Sequence, residues 1–184
     1  MHTASSTVVS RSIAVVVANA TSGVRARFLL LAAIAASADL ITKALATGLL
    51  RDGNMVSISD RLAFVLVYNT GGAGGLMMGP NTWGINVAIT SLAIFMVMRI
   101  VVPLSAVAPR ATMALGLVTG GAVGNLASML AGPNGVADFL AVRVSDSATI
   151  VMNGADLLLW SGALCLVPVV TRLIGAVRAE RAER

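Results

Sequence analysis

Four long apolar windows constrain this chain more than any other feature of its sequence. They cover residues 28–50, 83–102, 111–131 and 151–170, and each has about the 20 residues that an α-helix needs to cross the hydrocarbon core of a bilayer. Hydrophobic residues make up 57% of the chain and charged residues only 11%, whereas a soluble domain is about 25% charged. We therefore expect an all-α membrane protein, a bundle of four transmembrane helices, and not a soluble or disordered chain.

The basic residues indicate how such a bundle is oriented. Nine arginines lie on the side that holds both termini and the loop between the second and third windows: Arg11, Arg25, Arg27, Arg99, Arg110, Arg172, Arg178, Arg181 and Arg184. Only Arg51, Arg61 and Arg143 lie on the opposite side. Because loops rich in Lys and Arg stay in the cytoplasm, we expect cytoplasmic termini and outward-facing segments near 51–82 and 132–150. The net charge of +5 is then explained by the basic cytoplasmic segments of a membrane protein, and nucleic acid is not expected as a partner.

The same windows divide the chain into three parts. Residues 1–27 are predicted to form a cytoplasmic N-terminal tail, residues 28–172 the membrane domain, and residues 173–184 a basic cytoplasmic tail. A secretory signal is an alternative for the N-terminus, since a short apolar run follows Arg11 and ends in small residues. In the outward segments, residues 57–68 and 136–150 contain β-branched and aromatic residues. We expect them to form a small extended or β platform on the outer surface of the membrane.

Two ionisable residues fall inside the first window. Asp39 and Lys43 are four residues apart, so they share one face of a helix. Ionisable side chains inside a membrane are costly and usually functional. Two interpretations stay open: a neutral ion pair that allows the helix to insert, or a direct role in a site.

Several polar residues converge on the outer ends of the windows. They are Asn69, Asn125, Asp138, Asn153 and Asp156. With one histidine, His2, and one cysteine, Cys165, neither a His-based centre nor a Cys-x-x-Cys metal site is expected. Two carboxylates in one site share a single proton, so one can activate water while the other polarises a carbonyl. That is aspartic peptidase chemistry; the alternative is that Asp138 is an ordinary loop carboxylate.

Five short segments carry a resemblance to a known family. They read Asp-Leu-Ile-Thr-Lys at 39–43, Asn-Thr-Gly-Gly-Ala at 69–73, Gly-Gly-Ala-Val-Gly-Asn-Leu at 120–126, Val-Ala-Asp-Phe at 136–139 and Asn-Gly-Ala-Asp at 153–156. Each is weak alone, but their order and their placement on four windows resemble the lipoprotein signal peptidase family, also called signal peptidase II, of the bacterial inner membrane. The resemblance covers residues 28–172.

This resemblance implies a membrane aspartic endopeptidase that needs neither a metal nor an organic cofactor. It would remove signal peptides from diacylglyceryl-modified prolipoproteins by cutting before the lipidated cysteine, at the outer face of the membrane, with these prolipoproteins and membrane lipids as its partners. The implied roles are as follows: Asp138 and Asp156 catalytic, Asn125 and Asn153 orienting carboxylates or substrate, Asn69 and Gly71 in the substrate-facing segment, and Asp39 and Lys43 supporting the helices.

The chain also departs from the family pattern. Ser128 and Met129 stand where the family usually has Asp-Arg, and Gly74 stands where it often has Phe. One alternative is therefore a catalytically weak or inactive relative that binds lipidated peptides. Another is a small transporter or channel subunit, which would place a polar stripe through the whole membrane.

Overall fold

The computed structural model describes residues 3–131 and 135–182. The α-helices are α1 (Thr3–Leu49), α2 (Thr82–Val107), α3 (Ala111–Ala131) and α4 (Gly154–Ala182). The β-strands are β1 (Val56–Ser59), β2 (Leu62–Asn69), β3 (Val136–Ser145) and β4 (Ala148–Met152), and short 3-10 turns cover Arg51–Gly53 and Ala73–Gly75. His2, Arg184 and residues 132–134, which enter the sequence predictions, lie outside the described residues.

Each predicted window is helical over most of its length. Four helical stretches are long and apolar enough to cross a membrane: Ala20–Leu49, Thr82–Val107, Ala111–Ala131 and Gly154–Ala179. The predicted fold class is confirmed. The fourth window was placed slightly early, since residues 151 and 152 belong to β4 and the helix begins after Asn153.

The first helix begins much earlier than its apolar window. Residues 3–27, predicted as most of a tail, continue into the first window as one helix, α1. This stretch has no proline and only one glycine, Gly23, so nothing in it interrupts helical hydrogen bonding. The cytoplasmic location of the segment stays a prediction.

The third helix lies at the centre of the bundle, where it packs against the other three helices. Gly116 lies against Leu31 of α1, Gly120 against Ala35, and Gly121 against the Ala155 carbonyl of α4. Small residues let membrane helices approach closely, so these glycines explain why α3 can contact α1 and α4 at once.

The two ends of the bundle differ in character. One end is closed by an apolar cluster of buried residues: Phe28, Val101, Ala108, Ala111, Leu115 and Val169. Large apolar side chains such as Leu30, Phe95 and Trp160 are more than half exposed on the outside of the bundle, as a helix surface facing lipid requires. Most of the buried polar residues, among them Asp39, Asp138 and Asn153, lie toward the other end, beside the sheet. Ser105 is an exception, because it lies at the apolar end and accepts a hydrogen bond from Thr112 there.

The predicted β platform is a four-stranded antiparallel sheet in the order β1-β2-β3-β4. The start of β3 is the buried part of this sheet, since Val136, Ala137 and Asp138 are each less than 9% exposed. The strand contacts α1 and α3. Asp138 pairs with Val67 of β2. The sheet therefore holds Asp138 directly against the end of the helix bundle.

Candidate active site

The site is built around the junction between β4 and α4. Asn153 occupies the position before the first helical residue, and its Oδ1 accepts a hydrogen bond from the backbone N–H of Asp156 at 3.3 Å. In return, Asp156 Oδ2 accepts a hydrogen bond from the backbone N–H of Asn153 at 2.9 Å. This reciprocal arrangement is a capping box made by Asn and Asp. It fixes the Asp156 carboxylate in the first turn of α4.

Asn153 also reaches the second predicted acid. Its Nδ2 donates a hydrogen bond to Asp138 Oδ1 at 2.5 Å, and both side chains are buried. One residue thus binds the carboxylate of Asp138 through its side chain and that of Asp156 through its backbone. The structure brings the two predicted acids to one place, although they belong to different elements.

The environment of Asp138 favours its protonated form. Burial contributes most and raises the pKa of this carboxyl, and the negative charge of Asp156 raises it further. Interactions with the amides of Asn153 and Asn69 and with the positive charge of Lys43 lower it, but the pKa stays above the ordinary value of 3.8. A pair with one protonated and one ionised carboxyl can donate one proton and accept another.

Asp39 and Lys43 form an ion pair directly beneath this junction. Lys43 Nζ donates hydrogen bonds to Asp39 Oδ2 at 2.6 Å and to Asn125 Oδ1 at 2.7 Å. The other oxygen of Asp39 accepts the backbone N–H of Ala155 at 2.7 Å. The first N–H groups of a helix have no partner within the helix, and a carboxylate near them is favourable. These contacts favour the supporting role for the pair, because Asp39 anchors the turn of α4 that carries Asp156.

Two glycines of the recognised motifs make room for this anchor. A Cβ on Gly124 would collide with the Asp39 carboxylate, and a Cβ on Gly154 would lie 3.1 Å from Asp39 Oδ1. The presence of glycine directly before Asn125 and directly after Asn153 therefore has a steric cause. It lets α1, α3 and α4 meet around one buried carboxylate.

Asn125 contacts the ion pair on α1, and the role that the resemblance implies for it, orienting carboxylates or substrate, stays a prediction. Its Oδ1 accepts the hydrogen bond from Lys43, and no hydrogen bond to Asp138 or Asp156 is found within the described residues. Only Asn153 of the two implied orienting amides contacts the two acids. Asn125 instead extends the Asp39–Lys43 pair to α3.

Asn69 and Gly71 begin the loop that follows β2. Asn69 Oδ1 accepts the backbone N–H of Gly71 at 2.9 Å, and Asn69 Nδ2 donates to the Gly72 carbonyl at 3.4 Å. Across the sheet, Asn69 pairs with Val136, two residues before Asp138. The Asn69 side chain therefore shapes the loop beside the two acids.

Ser128 and Met129, which stand where the family usually has Asp-Arg, are accommodated without charge. Ser128 Oγ donates to the Gly124 carbonyl at 2.9 Å within α3. Met129 is buried, and its carbonyl accepts a hydrogen bond from Trp83 Nε1 at 2.9 Å. These positions therefore contribute packing and backbone contacts, and no cation, to this end of the bundle.

One contributor to the site was not predicted from the sequence: the backbone N–H of Ala155, which donates to Asp39. It gave no sequence signal, because its partner lies in another helix. Among residues 3–131 and 135–182, no group of three or more His, Cys, Asp or Glu side chains could hold a metal ion.

The chain is similar to known proteins of one family. A sequence model of the family described as Signal peptidase (SPase) II matches residues 31–172. The lipoprotein signal peptidase of Mycolicibacterium smegmatis is 36% identical over 153 residues, covering 78% of this chain and 60% of that protein. The lipoprotein signal peptidase of Mycobacterium avium is 35% identical over 153 residues, covering 78% of each chain.

Solved structures agree on the fold. Two structures described as a bacterial membrane enzyme superpose with TM-scores of 0.69 and 0.66, at 19% and 20% sequence identity. The superpositions cover 79% and 78% of this chain, and 87% and 91% of the solved chains. The family match spans most of the chain and includes all five motifs. This chain therefore belongs to the signal peptidase II family.

Proposed function

We propose that this chain removes signal peptides from lipoproteins, and that it does so as an aspartic endopeptidase with Asp138 and Asp156 as its catalytic pair. Membership of the signal peptidase II family supports the first part. The second part rests on one observation: Asn153 hydrogen-bonds to both carboxylates where the sheet meets the bundle.

The proposed mechanism divides two roles between the acids. We assign the shared proton to Asp138, because this carboxyl is buried next to the negative charge of Asp156 and its pKa is raised. Its Oδ1 accepts a hydrogen bond from Asn153, and the proton on the carboxyl polarises the scissile carbonyl. Ionised Asp156 takes a proton from water as the oxygen attacks the carbonyl carbon. Return of a proton to the leaving nitrogen breaks the C–N bond and yields a carboxylate and an amine.

The location of the pair suits a lipid-modified substrate. Four membrane-length helices and the family indicate a multi-pass bacterial membrane protein. We place the pair at the outer face of the inner membrane, with both termini in the cytoplasm, because most arginines lie at the other end of the bundle. The acyl chains of a diacylglyceryl-modified prolipoprotein then stay in the bilayer, while the peptide bond before the modified cysteine reaches the pair and water.

The alternatives have less support. The names of the relatives do not favour a protein that only binds lipidated peptides, and both acids are present in the geometry described. A transporter or channel would need polar groups along the whole membrane. The buried cluster around Phe28, Val101 and Leu115 instead closes one end of the bundle with apolar side chains.

The test uses purified protein in detergent and a diacylglyceryl-modified prolipoprotein, with loss of the signal peptide followed by gel shift. We expect the parent to cleave, and Asp138→Asn and Asp156→Asn to lose cleavage while remaining folded. Asp146→Asn, which changes an exposed carboxylate, is the matched control and should cleave like the parent. The proposal fails if the parent leaves intact a sample that a known signal peptidase II cleaves. The assigned pair fails if either amide variant keeps parental activity.

A further inference from the structure

One half-buried amide on α2 takes no part in the contacts described so far. Asn86 lies four residues after Thr82, the first residue of a helix that is otherwise strongly apolar. Its Nδ2 atom is buried and donates no hydrogen bond to any residue in the described part of the chain. Because an unsatisfied buried donor is costly, an acceptor that reaches it gains affinity.

The position of Asn86 relates it to the site. A Cβ added to Gly72 would lie 3.0 Å from Asn86 Oδ1 and 3.5 Å from Asn86 Nδ2, so the amide packs against the backbone of Gly72. That residue belongs to the loop held by Asn69, which lies beside Asp138. Asn86 therefore underlies the loop that borders the two acids.

The backbone groups of Gly72 already have hydrogen-bond partners. The Gly72 N–H donates to the Leu76 carbonyl at 2.7 Å, and the Gly72 carbonyl accepts from Asn69. The backbone of Gly72 thus finds its hydrogen-bond partners within the loop and does not need the Asn86 amide. Glycine at position 72 is what allows the amide to approach so closely.

We propose that Asn86 is a positioning residue for the substrate, and that its Nδ2 donates a hydrogen bond to a carbonyl oxygen of the bound lipopeptide. The proposal rests on the proposed function, since it takes a lipopeptide as the ligand. Two parts of that ligand carry carbonyl oxygens: the peptide backbone near the modified cysteine, and the acyl esters of the diacylglyceryl group. Asn86 lies one turn inside a membrane-length helix, where both parts pass from lipid to water.

The experiment compares the parent with Asn86→Leu, which keeps the approximate shape and removes the donor. Asn81→Ala is the matched control, because Asn81 is an exposed amide at the same end of α2 and makes no side-chain cap hydrogen bond. Each protein is assayed for kcat/KM on a diacylglyceryl lipopeptide and on a dialkylglyceryl version, which has ether links and no ester carbonyls. Thermal unfolding gives Tm for each protein.

We expect Asn86→Leu to lower kcat/KM about tenfold, the effect of one hydrogen bond to a buried donor, without lowering Tm. Asn81→Ala should stay within about twofold of the parent. A loss on both lipopeptides assigns the contact to the peptide backbone, and a loss on the ester lipopeptide alone assigns it to the acyl esters.

The proposal is overturned if Asn86→Leu matches the parent on both lipopeptides, or if its loss of activity comes with a lower Tm, as a purely structural role requires. Cleavage by the parent tests the proposed function separately. The Kd of the ester lipopeptide is also measured for the parent, Asn86→Leu and Asn81→Ala. If the parent does not cleave, the ratio of the Asn86→Leu Kd to the parental Kd still decides the role of Asn86.

Discussion

The Asp39–Lys43 pair should behave as a strongly coupled unit. The two side chains are 0% and 6% exposed, and their charged atoms are 2.6 Å apart. At an effective dielectric constant of about 20, the attraction between them is about 6 kcal/mol, and desolvation of both charges offsets much of it. Removing one partner leaves a buried charge uncompensated, which costs about 3–5 kcal/mol. We therefore expect Asp39→Asn and Lys43→Met each to lower the free energy of unfolding by about that amount.

The coupling is measured with a double-mutant cycle. Asp39→Asn keeps an oxygen that can accept the N–H of Ala155, so the change acts mainly through charge, and Lys43→Met keeps the aliphatic stem. The double variant should be destabilised by about 1–3 kcal/mol less than the sum of the single variants. Unfolding is followed by SDS titration in mixed micelles, with exposed Arg143→Met as a control expected within about 0.5 kcal/mol of the parent. Single losses below about 1 kcal/mol, or fully additive losses, would refute this reasoning.

Three further predictions follow from the same contacts. Asn153→Ala removes the α4 cap and a hydrogen bond to a buried carboxyl. It should lower the free energy of unfolding by about 1 kcal/mol and kcat by about 10- to 100-fold. A kcat within twofold of the parent in the cleavage assay would contradict this role. Because the pKa of Asp138 is raised, the folded chain binds this proton more tightly than the unfolded chain. The associated stability should be complete below pH 3.8 and should be lost as the pH rises through the raised pKa; unfolding measured across pH should show this slope in the parent and not in Asp138→Asn. Gly120→Ala would force a Cβ against Ala35 and should destabilise the bundle by about 1–3 kcal/mol. Gly48→Ala, with open space around it, should instead stabilise α1 by up to about 1 kcal/mol. Equal Tm shifts for Gly120→Ala and Gly48→Ala would count against steric packing of α3.

Local patterns in the sequence were enough for the framework of the fold. A membrane helix depends on the length and hydropathy of one segment, so the four apolar windows predicted the bundle directly. The i,i+4 spacing also predicted that Asp39 and Lys43 share a helix face, and that pair is formed. The start of α1 was harder to predict, because residues 3–27 contain neither a clear helix stop nor a membrane-length apolar run of their own.

The contacts that make the site were decided by the tertiary structure. Asp39 reaches the backbone N–H of Ala155 across 116 positions of sequence, and Asn125 bonds to Lys43 instead of either proposed catalytic acid. Such contacts depend on how far each helix is rotated and how closely glycines let the helices approach, and hydropathy does not determine either quantity. The sequence alone predicted that Asp138 and Asp156 lie toward the same end of the bundle. Only the pairing of β3 with β4, which sets Leu140 opposite Met152, put Asn153 between them at the start of α4.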